Sequence, residues 1–147
     1  MAIKLFLKLN GINGESTNAD YPNWIGVLSY SWATARVVDT GRVLSSPLQL
    51  TASMGRHSPP LMEALTDGAS FRECRLVGVT GQRNIQFLEI ALTGGTPINF
   101  DVAGSASADY PAEVWSFQYS RVSVKYWTIS GNQQGTVVES EWQAEGF

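Results

Sequence analysis

A strict two-residue alternation over residues 113–128 limits most strongly what this chain can fold into. Its apolar side chains fall on odd positions and then on even positions: Trp115, Phe117 and Tyr119, followed by Val122, Val124 and Tyr126. Successive residues of a strand point to opposite faces, so the pattern predicts two stretches of strand, each with one buried face. A shift of one residue exchanges the faces, so we expect a bulge or corner near Ser120 and Arg121.

The same period recurs along most of the chain. It predicts further strands over residues 3–9, 25–36, 48–53, 71–80, 85–92 and 136–142. Residues 93–112 are rich in Gly, Ser, Ala and Pro, and there we expect turns or loop around a short apolar piece at 98–102. Seven or eight strands without alternating helices predict an antiparallel sheet protein.

One short helix is predicted at about residues 59–67. Ser58 is a suitable N-cap, and a proline follows it at the first helical position, where its missing N–H costs nothing. Leu61 and Leu65 share one face, and Gly68 suits a left-handed C-cap. The fold class predicted is therefore mainly β, a small antiparallel β-barrel or sandwich with one flanking helix, in a single domain over residues 1–147.

Charge and hydropathy exclude several classes of protein. Only 16% of the residues are charged, against about 25% in average proteins, and neutral surface costs less to desolvate when subunits meet. The net charge of -3 argues against nucleic-acid binding. No apolar stretch approaches the ~18 residues of a membrane span. The N-terminus lacks the order of a Sec signal peptide, so we expect synthesis in the cytoplasm and export, if any, without a cleaved signal.

Residues with catalytic or metal-binding potential are few. Cys74 and His57 are each the only residue of their type, so no disulfide within the chain and no cysteine-based metal site is possible. A His57–Cys74 dyad is conceivable, but a histidine before a helix and a small buried cysteine explain both residues. Three carboxylates cluster near the C-terminus: Glu139, Glu141 and Glu145. The first two alternate on a predicted strand and are expected to face solvent, so we predict no enzyme, no cofactor and no metal site.

Five Trp and five Tyr leave one binding function open. Aromatic faces stack on bases and sugars, which would suit a small ligand-binding, lectin-like β-barrel. Aromatic residues are also enriched at protein–protein interfaces. We therefore expect Trp32, Trp115 and Trp127 to lie in the core or in contacts between subunits.

Four segments carry a resemblance to a known family. They are FLKLNGINGEST at 6–17, VLSYSW at 27–32, SPPLMEALTDG at 58–68, and PAEVWSFQYSRV at 111–122, the last followed by Tyr126 and a GNQQG turn. In this order and spacing, the chain resembles the Hcp proteins, the tube-forming subunits of the bacterial type VI secretion system. It departs from them before the helix, where Ala52 and Gly55 stand near positions that are often lysine and acidic in that family.

The resemblance implies a small β-barrel with a helix on its flank, whose work is done by assembly. Six subunits would close into a homohexameric ring through a heterologous contact, and stacked rings would form a hollow tube. The implied partners are further copies of the chain and the sheath, spike and effector proteins of the secretion system, with effectors carried in the lumen and the subunit itself secreted. A phage-type tail-tube subunit remains an alternative, because it shares this assembly logic.

Two groups of residues follow from this resemblance as candidate sites. The loop expected to help one ring meet the next consists of Val37, Val38, Asp39, Thr40, Gly41, Arg42, Val43 and Leu44. Its two halves could pair as a protruding hairpin around the turn residues at 39–41. The candidate lumen face is the small polar side of the predicted strand 25–36, with Ser29, Ser31 and Ala33.

Overall fold

A computed structural model describes residues 3–107 and 110–143, so Glu145 lies outside the described residues. Within these ranges there are twelve strands and one helix. They are β1 (Ile3–Leu9), β2 (Ile25–Val27), β3 (Ser29–Ser31), β4 (Thr34–Arg36), β5 (Val43–Ser45), β6 (Leu48–Ser53), α1 (Ser58–Asp67), β7 (Cys74–Thr80), β8 (Gln86–Thr93), β9 (Thr96–Ala103), β10 (Ala112–Gln118), β11 (Arg121–Ser130) and β12 (Gln133–Gln143). None of the described helical segments reaches the length and apolar character that a bilayer crossing requires.

The strands form three antiparallel sheets. The six-stranded sheet has the order β12-β11-β8-β7-β1-β2, the four-stranded sheet has the order β3-β6-β10-β9, and β4 pairs with β5 alone. Each of the two larger sheets ends in two edge strands, so the sheets do not close into a barrel. The mainly β fold with one short helix is confirmed, and of the two arrangements expected, the barrel was wrong.

The two larger sheets bury one face each against a common core. Leu7, Leu76 and Ile90 of the six-stranded sheet belong to one buried cluster with Leu50 and Trp115 of the four-stranded sheet. A fully buried side chain of this size contributes about 1.5–3 kcal/mol relative to its exposed state. This shared core joins the two sheets. On the outer side of the six-stranded sheet a second, smaller cluster is buried, in which Tyr21 and Trp24 cover Phe6, Val77 and Val79.

The predicted change of phase near Ser120 is confirmed as a corner between sheets. β10 ends in the four-stranded sheet and β11 begins in the six-stranded sheet, with only two residues between them. At the corner, Ser120 N–H donates to the Thr93 carbonyl over 3.0 Å, and the Tyr119 hydroxyl donates to the Ser46 carbonyl over 2.8 Å. The corner lets one continuous pattern of alternation cover both layers of the core.

Two predicted segments differ from the structure. The strand expected over residues 25–36 is three short strands in three sheets, because the chain crosses between sheets at Leu28, whose N–H donates to the Thr51 carbonyl over 2.8 Å. The loop expected at 93–112 contains the eight-residue strand β9, which pairs with β10. β9 is an edge strand with mostly exposed residues, so it lacks the apolar alternation that marks a buried strand.

The helix begins one residue earlier than predicted and is capped differently. His57 is the N-cap residue and makes no side-chain capping bond, so the assignment of Ser58 as N-cap was wrong. Ser58 lies in the first turn, and its hydroxyl turns into the core instead. Gly68 adopts the expected left-handed conformation at φ 69°, and its N–H donates to the Ala64 and Leu65 carbonyls.

Candidate subunit interface

The outer face of the four-stranded sheet is small, polar and nearly uncharged. Leu50, Trp115 and Phe100 form an inner row across this sheet that lies in or against the core, and Tyr30, at the β3 edge, belongs to the same row but is partly exposed. The flanking rows therefore point away from the core. Those outward rows are Ser29, Thr51, Val114 and Asp101, and Ser31, Gln49, Ser116 and Asn99. We call these eight residues the polar face. Asp101 is its one ionisable member and Val114 its one apolar member, so the face presents mainly hydroxyl and amide groups and carries little net charge.

Hydrogen bonds within the polar face use part of its polar capacity. Ser29 Oγ and Thr51 Oγ1 lie 2.5 Å apart, and Asn99 Nδ2 donates to Asp101 Oδ2 over 3.1 Å. The predicted lumen residues divide here, because Ser29 and Ser31 lie on the polar face whereas Ala33 does not. Ala33 follows β3, and its N–H donates to Ser46 Oγ over 2.9 Å at the base of the β4–β5 hairpin.

The outer face of the six-stranded sheet is charged, in contrast. Its side chains form a ladder of ion pairs with N–O distances of 3.0–3.9 Å: Lys8–Glu73, Glu73–Arg75, Arg75–Glu89, Glu89–Lys125 and Lys125–Glu139. A further pair joins Arg121 to Glu141 over 2.7 Å, and this hydrogen bond holds the pKa of the Glu141 carboxyl below its ordinary value. Exposed pairs of this kind contribute only about 0–1 kcal/mol each to folding, so their main effect is on the character of the surface.

The loop at residues 37–44 has the predicted hairpin form. Ala35 pairs with Leu44 and Arg36 with Val43, while Gly41, at φ 71°, donates its N–H to the Val37 carbonyl over 2.7 Å. Val38, in the turn, is 88% exposed. An apolar side chain held this far into solvent is what a protruding contact element requires, although its role in stacking remains a prediction.

The base of the hairpin is anchored to the rest of the subunit. Ser46 N–H donates to the Ala33 carbonyl over 2.8 Å, and Trp142 Nε1 lies 3.5 Å from Ser45 Oγ. Trp142 also stacks on Trp32, with ring centroids 5.7 Å apart and planes 11° from parallel. Trp32 and Trp142 therefore fix the direction in which the hairpin projects.

The four-stranded sheet has two open edges, β3 and β9. No strand of the described ranges pairs with their outer sides, and α1 lies alongside β9 without a backbone hydrogen bond to it. Each edge carries exposed apolar side chains: Leu28 and Tyr30 by β3, and Ile98 and Val102 on β9. An open edge with apolar flanks is a template for pairing with another strand.

A buried polar cluster at the start of α1 was missed by the sequence analysis. The Glu113 side chain is fully buried on β10, where one carboxylate oxygen contacts His57 Nε2 and the other accepts a 2.8 Å hydrogen bond from Ser58 Oγ. The odd position of Glu113 places it on the face of Trp115 and Phe117, so the alternation itself indicated its burial. The cluster ties the start of the helix to the four-stranded sheet.

The cluster does not have the geometry of a serine–histidine–acid triad. Such a triad places the acid and the serine on opposite ring nitrogens, whereas His57 directs Nε2 toward both Glu113 and Ser58, and the Ser58 hydroxyl donates to the carboxylate. Cys74 is buried among apolar side chains, which raises the pKa of its thiol to about 12. Across residues 3–107 and 110–143, no three His, Cys, Asp or Glu residues come together as a metal site.

Comparisons with known proteins agree with this architecture. The family model "Type VI secretion system effector, Hcp" matches residues 6–126. "Protein hcp1" of Pseudomonas aeruginosa is 24% identical over 97% of this chain and 95% of its own length. Among solved structures, Hcp1 from Salmonella typhimurium superposes with a TM-score of 0.83 at 24% identity, covering 97% of this chain and 95% of that one. A type VI secretion system effector from Yersinia pestis gives 0.81 at 24% identity, covering 95% and 99%.

The family model spans most of this chain, and the solved structures have the same fold over nearly the whole length of this chain. The chain therefore belongs to the Hcp family of type VI secretion system effectors.

Proposed function

We propose that this chain is the structural subunit of a type VI secretion tube, in which six copies close into a ring and rings stack around a hollow lumen. The observation that carries the proposal is the contrast between the two outer faces of the subunit. The polar face is almost uncharged, whereas the opposite face carries a ladder of ion pairs. A subunit in the wall of a tube needs two such different faces, one for the lumen and one for the outside.

The open edges supply a contact that closes a ring. β3 of one copy would pair with β9 of the next, which is a heterologous contact because two different surfaces meet. Leu28 and Tyr30 would then pack near the neighbour's Ile98 and Val102, and burying them removes apolar surface from water. Repeated six times, this pairing joins the four-stranded sheets into one continuous wall.

In this arrangement the polar face lines the lumen. Ser29 and Ser31 would face the interior, and Ala33 would lie toward the rim, at the base of the hairpin. Hydroxyl and amide groups can form hydrogen bonds with many different proteins and select none of them strongly. Because the face carries little net charge, it neither binds a charged protein tightly nor repels it. The face is suited to carrying effector proteins that must later be released.

The charged face would point outward, toward the sheath, and the ends of the tube would meet the spike and further rings. The subunit would be made in the cytoplasm and then secreted by the contractile system. We assign it no catalytic role and no cofactor.

Mass in solution and images of the assembly test the ring. Light scattering should give a hexamer at micromolar concentration, and negative-stain images should show six-fold rings. Ile98→Lys places a charge on the β9 edge and should yield monomers. Val137→Lys is the matched control, since Val137 is 48% exposed and Ile98 46%, but it lies on β12 of the other sheet. A wild-type monomer throughout the micromolar range would contradict the ring, and unaffected rings in Ile98→Lys would contradict the β3–β9 contact.

The hairpin at residues 37–44 is proposed to contact the next ring. Replacing these residues by a two-residue turn should leave the subunit folded, because β4 and β5 pair only with each other. Rings should still form, while tubes should disappear from negative-stain images and from high-speed pellets. Tubes of normal length and abundance in this variant would exclude a stacking role for the hairpin.

A further inference from the structure

The outermost strand of the six-stranded sheet has a long free edge. β12 has 11 residues and pairs only with β11, whereas β2, at the other edge of the sheet, has three residues. Within residues 3–107 and 110–143, no strand pairs with the outer side of β12, and no loop forms a backbone hydrogen bond with it. Every second residue of β12 therefore directs its N–H and C=O groups away from the sheet.

Over residues 137–143, β12 lacks the features that prevent most exposed edges from pairing. Such edges are usually short, or they carry a bulge, a lysine, a proline or an inward-facing charge. This part of β12 keeps a regular register with β11, its sequence VVESEWQ contains neither lysine nor proline, and the residues on its core side are Val138, Ser140 and Trp142. These seven residues form a template for strand pairing that is about 23 Å long.

The ladder of ion pairs on the outer face reaches this edge and ends there in carboxylates. Its last two steps are Glu89–Lys125 and Lys125–Glu139, with Glu139 on β12. Glu141, two residues further on, accepts a hydrogen bond from Arg121 of β11 through one of its two oxygens. The Glu139 and Glu141 side chains are 62% and 59% exposed, and among the described residues their ion-pair partners lie only on β11. A strand added outside β12 would continue the alternation of sign by placing a cation beside each carboxylate.

The core side of the same edge is apolar. Val138 lies opposite Tyr126 of β11, and these two side chains are 66% and 51% exposed. Val122, on the same face of β11, is fully buried, so this row runs from the core to an uncovered edge. An added strand with apolar residues on this side would remove Val138 from water.

We propose that β12 binds an extended segment of another protein by strand addition, and that Lys or Arg alternates with apolar residues in this segment. Main-chain hydrogen bonds to the free edge supply affinity, and the two rows of side chains supply specificity. A second copy of the chain does not fit, because two paired β12 strands would bring the Glu139 and Glu141 rows of both copies together. The site goes beyond the proposed tube function and uses neither the β3 nor the β9 edge.

Binding of a synthetic peptide tests the site on the full chain. The probe is a fluorescently labelled peptide of seven residues in which valine and lysine alternate, with valine at both ends. The control peptide has the same composition in two blocks, three lysines followed by four valines. In fluorescence anisotropy at low salt, the alternating peptide should bind at least about tenfold more tightly than the block peptide. Equal affinities for the two peptides would overturn the proposal.

Charge reversal on β12 tests the role of the carboxylates. Glu139→Lys/Glu141→Lys should weaken binding of the alternating peptide at least about tenfold, and it should bind a peptide in which glutamate replaces each lysine. The matched control is Glu63→Lys/Asp67→Lys, which makes the same change in net charge at exposed positions of α1. Equal losses in the two double variants would show that net charge alone drives binding, which would contradict a site on β12.

Two N-methylated forms of the alternating peptide test main-chain pairing on the unaltered protein. One form carries methyl groups on the lysine backbone nitrogens, and the other carries them on the valine backbone nitrogens. Only alternate N–H groups of an added strand point toward β12, so one form should lose at least about tenfold in affinity and the other should stay within about threefold. Equal affinities for the two methylated forms would exclude strand addition.

Discussion

Replacement of His57 by leucine is the sharpest test of how the subunit holds its helix in place. The substitution removes the group that contacts one oxygen of the Glu113 carboxylate, and the carboxylate stays fully buried with only the Ser58 hydroxyl bonded to it. Leucine fills a comparable volume, so the loss is mainly electrostatic. We expect His57→Leu to be among the most destabilising single changes in the protein.

The size of the effect follows from the burial of both partners. Breaking a buried ionic or strongly hydrogen-bonded pair by removing one partner costs about 3–5 kcal/mol, whereas loss of the single Ser58 hydrogen bond in Ser58→Ala should cost about 1.5–3 kcal/mol. Domains of this size are stable by only about 5–15 kcal/mol. Removing both polar groups in His57→Leu/Glu113→Leu should restore much of the loss, because neither member of the pair is then left buried without the other.

Urea unfolding followed by tryptophan fluorescence measures these values, since the Trp115 ring lies 5.1 Å from the His57 ring. Protein concentration must be equal for all variants, because the proposed assembly would stabilise the folded subunit by mass action. A loss below about 1 kcal/mol in His57→Leu would show that the carboxylate does not need its partner. The single variant Glu113→Leu completes the comparison. A loss in His57→Leu/Glu113→Leu that equals the sum of the losses in His57→Leu and Glu113→Leu would show that the two residues do not act as a pair.

Three further outcomes are expected. Gly68→Ala should lower the free energy of unfolding by about 1–2 kcal/mol, because φ there is 69°, while Gly26→Ala, where an added Cβ meets nothing within 4 Å, should change it little in the same urea titration. Gly14→Ala should cost at least about 1–3 kcal/mol and lower the thermal midpoint, because the new Cβ would lie 2.4 Å from the Trp24 carbonyl oxygen. The Cys74 thiol should react with a thiol reagent only after unfolding. The pKa of this thiol in the folded protein, about 12, lies above the ordinary value of 9.0. The free energy of unfolding relative to Cys74→Ala should therefore be constant below pH 9 and fall as the pH rises toward 12. A difference in unfolding free energy that does not change between about pH 9 and 11 would refute this.

Local periodicity was enough to predict the central strands, the short helix and the corner near Ser120, because each depends on residues close in sequence. The hairpin over residues 37–44 was predicted for the same reason, since a turn sequence lies between two halves that can pair. The strand β9 was missed because its pairing with β10 comes from the tertiary fold, and its exposed residues carry no apolar alternation. Residues 25–36 are divided among three sheets. The sequence did not show this, because the two-residue alternation of apolar side chains continues unbroken through Leu28.

The candidate interface was predictable only in part. Ser29 and Ser31 lie on the polar face as the pattern indicated, but that face is completed by β9 and β10, whose neighbours in the sheet the sequence does not specify. Ala33 has the same parity and yet lies at the base of the hairpin, because the strand has already ended. The His57, Ser58 and Glu113 cluster joins residues more than 50 positions apart. The odd position of Glu113 in the strand predicted that its side chain points inward, but only the fold shows which groups bind it.

The ion-pair ladder has a consequence for how other proteins find the outside of the subunit. Together with the further pair Arg121–Glu141, it contains four cations and four carboxylates: Lys8, Arg75, Arg121 and Lys125, and Glu73, Glu89, Glu139 and Glu141. Equal and opposite charges 2.7–3.9 Å apart largely cancel one another at longer range, and salt screens the remainder within about 8 Å at physiological ionic strength. This densely charged face therefore produces little electrostatic potential at a distance. If this face forms the outside of the proposed tube, a protein that encloses it would have to recognise it by shape and close contact, and could move along it without being attracted by a long-range field.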